Sequence, residues 1–353
     1  MTLRSIWPRS IWNSLFGTWY NAILTLLMLW MLVAWVPPII DWAIFSSKIA
    51  PDPAACRATF GACWGFILEK HRLILFGGYP YEQQWRPLIA SILFIVLLVT
   101  SCNRRFWQPA LAAGWLLGLI VIFVLMRGGL LGLSVVESAR WGGLPLTLIL
   151  AVVGLVIAFP IAVILALGRR SQLPVIRAIC ITFIELVRGV PLISLLFMAS
   201  VMVPLFLPEG LTVDKLIRAE VGIIIFAAAY SAESVRGGLQ SLNRGQEEAA
   251  DALGLSYFDK MRRIVLPQAL RIAIPSITNN FISTFKDTSL VVVIGMFDLL
   301  GALKAGLNDA QWRTFYIEGY LFVAAIYFVF CISISKYAQY LESDIARTTA
   351  KVD

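Results

Sequence analysis

Between Leu144 and Leu167 the chain carries no ionisable side chain. A run of that length matches the ~20 apolar residues a helix needs to cross ~30 Å of hydrocarbon. Comparable runs occupy 22–40, 87–102, 110–126, 178–206, 219–236, 273–296 and 315–335. In lipid every backbone polar group must be satisfied within the segment, and at these lengths that means helices. The sequence therefore predicts an all-α polytopic membrane protein with about eight transmembrane helices. Composition agrees, with 59 % hydrophobic and 14 % charged residues against roughly a quarter charged in soluble domains. The run 178–206 is long enough to tilt. The first run exceeds a signal-peptide core and lacks a small-residue cleavage site, so it is expected to be retained.

The net charge of +8 does not point to nucleic acid, because the basic residues fall in short segments between apolar runs. With the N-terminus inside, the cytoplasmic segments hold Arg4, Arg9, Arg104, Arg105, Arg169, Arg170 and Arg177. They also hold the group from Arg236 to Arg271 and the tail residues Lys336, Arg347 and Lys351. That bias places both termini in the cytoplasm. His71 is the single histidine, and the five cysteines form no CxxC or Cys/His cluster, so neither a metal site nor a Cys/His catalytic pair is expected. The sequence contains no Gly-rich loop ending in Gly-Lys-Ser or Gly-Lys-Thr, the usual cradle for ATP phosphates. Without a cluster of nucleophile, base or metal ligands, an intramembrane enzyme is disfavoured.

Residues 1–126 read as a three-helix membrane region with a long outer loop at 41–86, and 127–143 as a connecting segment. Residues 144–335 form a five-helix core interrupted by a cytoplasmic loop at 237–272, and 336–353 a cytoplasmic tail. Cys56 and Cys63 lie in the outer loop, where an oxidising compartment favours a disulfide between them. Gly114 and Gly118 make one GxxxG pair compatible with helix contact. Trp19, Tyr20, Trp141 and Trp312 near span ends read as interfacial anchors.

The cytoplasmic loop contains Glu248-Ala249-Ala250, then Gly254, then Ile264, Leu266 and Pro267. Small alanines allow another protein's groove to approach the helix backbone. Gly254 permits a positive φ and a turn between two helices. Leu255, Phe258 and Met261 supply an apolar edge, and Pro267 is expected to close the second helix. The spacing matches the E-A-A-x3-G-x9-I-x-L-P motif of ABC-importer permeases at every defined position. Around it, Gly142 to Leu148, Glu185 to Leu192, Ala229 to Glu233, Arg236 to Gln240, Gly245-Gln246 and Lys286 to Leu290 resemble polar amino acid permeases over nearly all of 140–353. The N-terminal layout is similar to the longer permease subunit of general L-amino acid importers.

The resemblance implies a type I importer permease in the bacterial inner membrane, with Glu248, Ala249, Ala250, Gly254, Leu255, Leu266 and Pro267 coupling it to an ATPase. It further implies a homologous permease partner in a heterodimer, two ABC ATPases that carry ATP and Mg, and a periplasmic amino-acid-binding protein. The chain itself would bind no cofactor and catalyse no reaction. A stand-alone secondary transporter or channel is the alternative; inverted repeats would favour it, and none is visible.

Charges within spans are costly and usually functional or paired. Glu185 and Arg188 lie three apart on one helical face and are expected to pair with each other or to contact a partner helix. Lys286, Asp287, Thr288 and Ser289, with Glu233, offer the donors and acceptors that an amino acid zwitterion needs; the alternative is that Lys286 and Asp287 pack against the partner permease and Glu233 pairs with Arg236. Among them Asp287 is expected to meet the substrate ammonium.

Overall fold

The structure is a computed structural model that describes residues 7–208, 210 and 212–349, with side chains from residue 12 to 344 apart from 209 and 211. Arg4 and Lys351, and the side chains of Arg9 and Arg347, lie outside the described residues. The chain divides into two compact units, 1–70 with 310–319, and 71–309 with 320–353.

In the first unit, α1 (Trp7–Phe16) and α2 (Trp19–Ile40) break at Gly17, and α2 runs on into a π turn at Asp41–Phe45. No residue of α2 is buried, as expected of an apolar helix solvated by lipid. The short α3 (Pro53–Arg57) begins with Pro53 and is capped by Asp52, whose carboxylate accepts from the amides of Ala54 at 2.9 Å and Ala55 at 3.3 Å. A disulfide joins Cys56 to Cys63 across a Cα separation of 5.5 Å. The Cys63 amide donates to Glu318 Oε1 at 2.7 Å, and Phe66 packs on Trp312. Trp312 is thereby buried, a core residue here rather than an interfacial anchor.

The second unit takes in the end of α4 (Gly65–Phe76), then α5 (Trp85–Ser101), α6 (Pro109–Arg127), α7 (Gly143–Arg169) and α8 (Pro174–Gly189). It continues through α9 (Leu192–Phe197), α10 (Val203–Leu205), α11 (Lys215–Gln240), α12 (Gly245–Ala252), α13 (Tyr257–Lys260) and α14 (Leu266–Asp287). A short β1 (Phe297–Asp298) bridges to Gly142 and Gly143, and α15 (Leu299–Leu307) and α16 (Tyr316–Thr349) follow.

Among the described residues, five continuous helical segments are long and apolar enough to span a bilayer: Trp19–Phe45, Tyr81–Ser101, Pro109–Arg127, Gly143–Arg169 and Arg313–Asp344. A sixth is a broken one, α8 followed by the segment Leu192–Leu205 at 102°. The run 178–206 is thus not one tilted helix. Pro191 has no amide hydrogen to continue the ladder, and the residue before a proline is driven from helical geometry; Val190 sits at φ −107°, ψ 133°. The remaining two of the expected eight, α11 and α14, have 26 and 22 residues but carry more polar side chains. Their polarity is tolerated because they pack inside the bundle. The run 273–296 also differs from expectation, since its α-helix ends at Asp287 and gives way to a 3-10 turn at Thr288–Ile294.

Small residues let α7 and α11 approach closely. Ala158 of α7 meets Ala227 and Ala228 of α11 in a buried layer. At Gly238 a Cβ would stand 2.2 Å from the Ala269 carbonyl oxygen, so α11 and α14 cross there only because that position is glycine. Ala90, Phe94 and Leu97 of α5 and Ile122 and Met126 of α6 share one core with Leu148, Ala151 and Phe285. The connecting segment joins the same core through Val136 and Trp141, which is buried rather than interfacial. It is clamped by Arg86, almost fully buried, whose guanidinium donates to the carbonyls of Leu125 at 2.6 Å and Ser134 at 3.0 Å. Tyr79 donates to the Met126 carbonyl at 3.0 Å, and burial pushes its pKa up to about 12. Of the GxxxG pair, Gly118 lies against Leu97, whereas Gly114 faces open space.

Candidate functional site

Glu248, Ala249 and Ala250 lie on α12, whose C-terminus closes in a Schellman motif. The Gly254 amide donates to the Asp251 carbonyl at 2.9 Å and the Leu255 amide to Ala250 at 3.2 Å. Gly254 sits at φ +73°, and a Cβ there would meet nothing within 4 Å. Glycine is required by the backbone angle alone, since left-handed geometry costs a side-chain-bearing residue about 1–2 kcal/mol. Ser256 then caps α13, accepting from the Asp259 amide at 3.2 Å, and Lys260 returns to Asp251 at 2.6 Å. These bonds fix the angle between two short helices.

The hairpin's two faces differ. Ala250, Met261 and Val265 are buried, the latter two in a cluster with Ala162, Ala232 and Ala269. Glu248 and Ala249 are exposed, as are Leu253, Tyr257 and Phe258 at 78 %, 61 % and 67 %. The apolar edge expected from Leu255, Phe258 and Met261 therefore splits, with Met261 inward, Phe258 outward and Leu255 half-buried. Pro267 does not end the second helix. The chain passes from α13 through a π turn at Met261–Val265 into α14, with Leu266 and Pro267 in its first turn. A proline is accommodated in a first turn, and the wide turn before it relieves the clash its ring would make.

The expected Glu185–Arg188 pair is not the one that forms. Glu185 bonds Arg169 of α7 at 2.8 Å, and Arg188 lies 3.8 Å from Glu233 of α11. Glu233 receives two bonds of 2.9 Å from Arg236 Nε and one of 3.4 Å from Arg169, with a further close contact to Arg236 Nη2. Two carboxylates and three guanidiniums thus join α7, α8 and α11. The sequence pointed to i, i+3 neighbours, but helix packing brought a third helix's arginine nearer. Arg169 was legible only as one of the positive residues at a span end.

Glu233 and the 286–289 segment do not come together. Ser234, beside Glu233, bonds Ser276 at 2.7 Å and Asn280 at 2.8 Å. Lys286 and Asp287 lie six and seven positions further along, about 10 Å at 1.5 Å per residue. Lys286 is exposed and Asp287 half-buried, and neither side chain makes a hydrogen bond or ion pair among the described residues. Thr288 is fully buried and donates to the Phe285 carbonyl at 2.8 Å, which removes it from any solvated path. Ser289 is half-buried. Nearby, fully buried Asp298 caps α15 through the amides of Gly301 at 2.9 Å and Leu300 at 3.3 Å. It also accepts from Tyr327 of α16 at 2.9 Å. The Leu299 amide donates to Thr147 of α7 at 3.1 Å. This polar knot was not foreseen; the cap residue Asp298 before an apolar run was its one signal.

A bundle of membrane helices, an exposed hairpin in the loop between α11 and α14, and charges beside a helix end that pair with nothing among the described residues are the features of a transport subunit. The chain belongs to the family of binding-protein-dependent transport system inner membrane components, which it matches over residues 158–347. It is 44 % identical over 343 residues to the inner membrane amino-acid ABC transporter permease protein YhdY of Escherichia coli K12, covering 96 % of this chain and 92 % of that protein. It is 36 % identical over 402 residues to the glutamate/glutamine/aspartate/asparagine transport system permease protein BztC of Rhodobacter capsulatus, covering 95 % and 93 %. A crystal structure of an amino acid ABC transporter with histidines superposes with a TM-score of 0.51 at 31 % identity, over 57 % of this chain and 92 % of that one.

Proposed function

We propose that this chain is the permease subunit of an ATP-driven importer that moves polar amino acids across a bacterial inner membrane. The observation that carries this reading is the hairpin 246–267, which holds the full motif spacing, turns at Gly254, and exposes Leu253, Tyr257 and Phe258 beside Ala249. Its exposed apolar face suits the groove of a cytoplasmic ATPase, which would bind ATP and Mg. Relatives named as amino acid permeases, matched over more than nine-tenths of both chains, support the cargo class. A homologous permease completes a heterodimer, two ATPases dock below, and a periplasmic binding protein delivers substrate. Both termini face the cytoplasm, which puts the Cys56–Cys63 loop outside. Asp287 and Lys286, whose side chains make no hydrogen bond or ion pair among the described residues, face the path and meet the ammonium and carboxylate of the substrate, with Ser289 beside them.

Reconstitution tests this. Vesicles holding the chain, its partner permease, the ATPase and the binding protein should take up labelled glutamate, glutamine or arginine only with internal-facing ATP and the binding protein. Uptake driven by an ion gradient with no ATP would instead establish a secondary transporter.

A further inference from the structure

We propose that the cavity at the α7–α8 turn holds the phosphate of an anionic phospholipid. The turn, Arg170–Leu173, joins the end of one membrane span to the start of the next. It borders a cavity of about 360 Å³ lined by Arg170, Ser171, Gln172, Pro174, Arg177 and Ile181, among others. None of the residues lining it is acidic. The Arg177 guanidinium is exposed and makes no hydrogen bond or ion pair among the described residues. Arg170 is anchored through Nη2 to Glu247 at 3.0 Å and through Nη1 to the Leu239 carbonyl at 3.5 Å. Its position is thus fixed while part of its donor set stays free. Two guanidiniums on one small cavity suit a phosphate, whose oxygens accept several charge-assisted bonds.

The surroundings select a lipid over a soluble anion. Leu173, Val175, Ile176 and Ile179, which alternate in sequence with the lining residues along the turn and the start of α8, are 59 %, 68 %, 43 % and 63 % exposed. Acyl chains would cover them, and a free phosphate would leave them bare. Basic pockets between membrane helices at the cytoplasmic side are the usual seats of acidic headgroups. Because Arg170 also holds Glu247, the headgroup would lie against the tie between α7 and the docking hairpin. The inference rests on the chain spanning a membrane and not on which solute it carries.

The assembled transporter, exchanged into phosphatidylcholine nanodiscs with or without phosphatidylglycerol, tests the site by native mass spectrometry of retained lipid. Wild type should keep phosphatidylglycerol through mild delipidation. Arg177→Gln should keep about five-fold less, as expected for one basic contact at a membrane surface. Arg177→Lys should restore most of it, and Arg105→Gln, at another exposed turn, should match wild type. Equal retention by wild type and Arg177→Gln overturns the proposal. So does displacement of the lipid by millimolar inorganic phosphate, which would assign the cavity to a soluble anion. Lipid retention is read without transport, so failure here leaves the importer reading untouched.

Discussion

Arg170 Nη2 lies 3.0 Å from Glu247 Oε1, which ties the end of α7 to the first helix of the exposed hairpin. Both side chains are only partly buried, and a pair of that kind contributes about 0–1 kcal/mol to stability. Its value lies in direction, since it adds a polar tie between the hairpin's first helix and the end of α7 to the apolar packing of Met261 and Val265 near Ala162. Glu247→Gln should therefore leave assembly and melting temperature nearly unchanged while lowering the amino acid transported per ATP hydrolysed. An unchanged ratio would show that the tie carries no coupling.

At Gly254 the backbone angle, not crowding, dictates the residue. Gly254→Asn should be tolerated, because asparagine enters the left-handed region at modest cost. Gly254→Val should open the Schellman turn and misalign α12 against α13. Uptake would then fall at least ten-fold while the variant still inserts and assembles. Equal uptake by the two variants would mean that the hairpin angle does not matter to transport.

The Cys56–Cys63 bond closes a ring of small span, and chain-entropy arithmetic gives it about 2 kcal/mol. The double variant Cys56→Ser/Cys63→Ser should expose residues 41–70 to proteolysis sooner than wild type. Thiol labelling of the native protein should modify neither position until a reductant is added. Labelling without reductant would remove the bridge from the argument.

Glu233 is held by Arg236, Arg169 and Arg188, so Glu233→Gln leaves Arg236 and Arg188 without their carboxylate, while Arg169 keeps Glu185. Breaking a charge-assisted set of this kind costs about 2 kcal/mol. The variant should melt earlier, and any fall in uptake should follow from that loss rather than from a changed apparent affinity. A raised KM for the binding-protein complex at unchanged stability would instead return Glu233 to the substrate path.

How far the sequence could be read follows from which interactions are local. The apolar runs and the hairpin glycine depend on neighbours in the chain, and each showed at once. The cysteine pair, seven positions apart, was equally close at hand. The break at Pro191 was visible too, as a Val-Pro step inside the run 178–206, but hydropathy masked it because both halves are apolar. Partner choice among charges was readable only where the partners are close in the chain, as for Glu233 and Arg236, three positions apart. Arg169, the last residue of α7, reaches Glu185 because the far half of α8 packs back on the end of α7, where Gly168 lies against Cys180, a fact of tertiary geometry. The burial of Thr288 likewise depends on a 3-10 turn that no periodicity announces.

Asp287 remains the residue whose chemistry the chain itself does not explain. Its carboxylate ends α14 half-buried and without a hydrogen bond or ion pair among the described residues, next to an exposed Lys286 in the same condition. An ionised group left so at membrane depth costs several kcal/mol unless something else engages it, and here the substrate ammonium is the expected partner. Asp287→Asn keeps the shape and removes the charge. It should cut amino acid uptake by at least ten-fold and leave assembly, melting temperature and basal ATP hydrolysis close to wild type. Asp287→Glu, which keeps the charge on a longer stem, should retain part of the uptake. If Asp287→Asn transports normally, the carboxylate serves the partner permease or the fold, and the substrate ammonium must be met elsewhere.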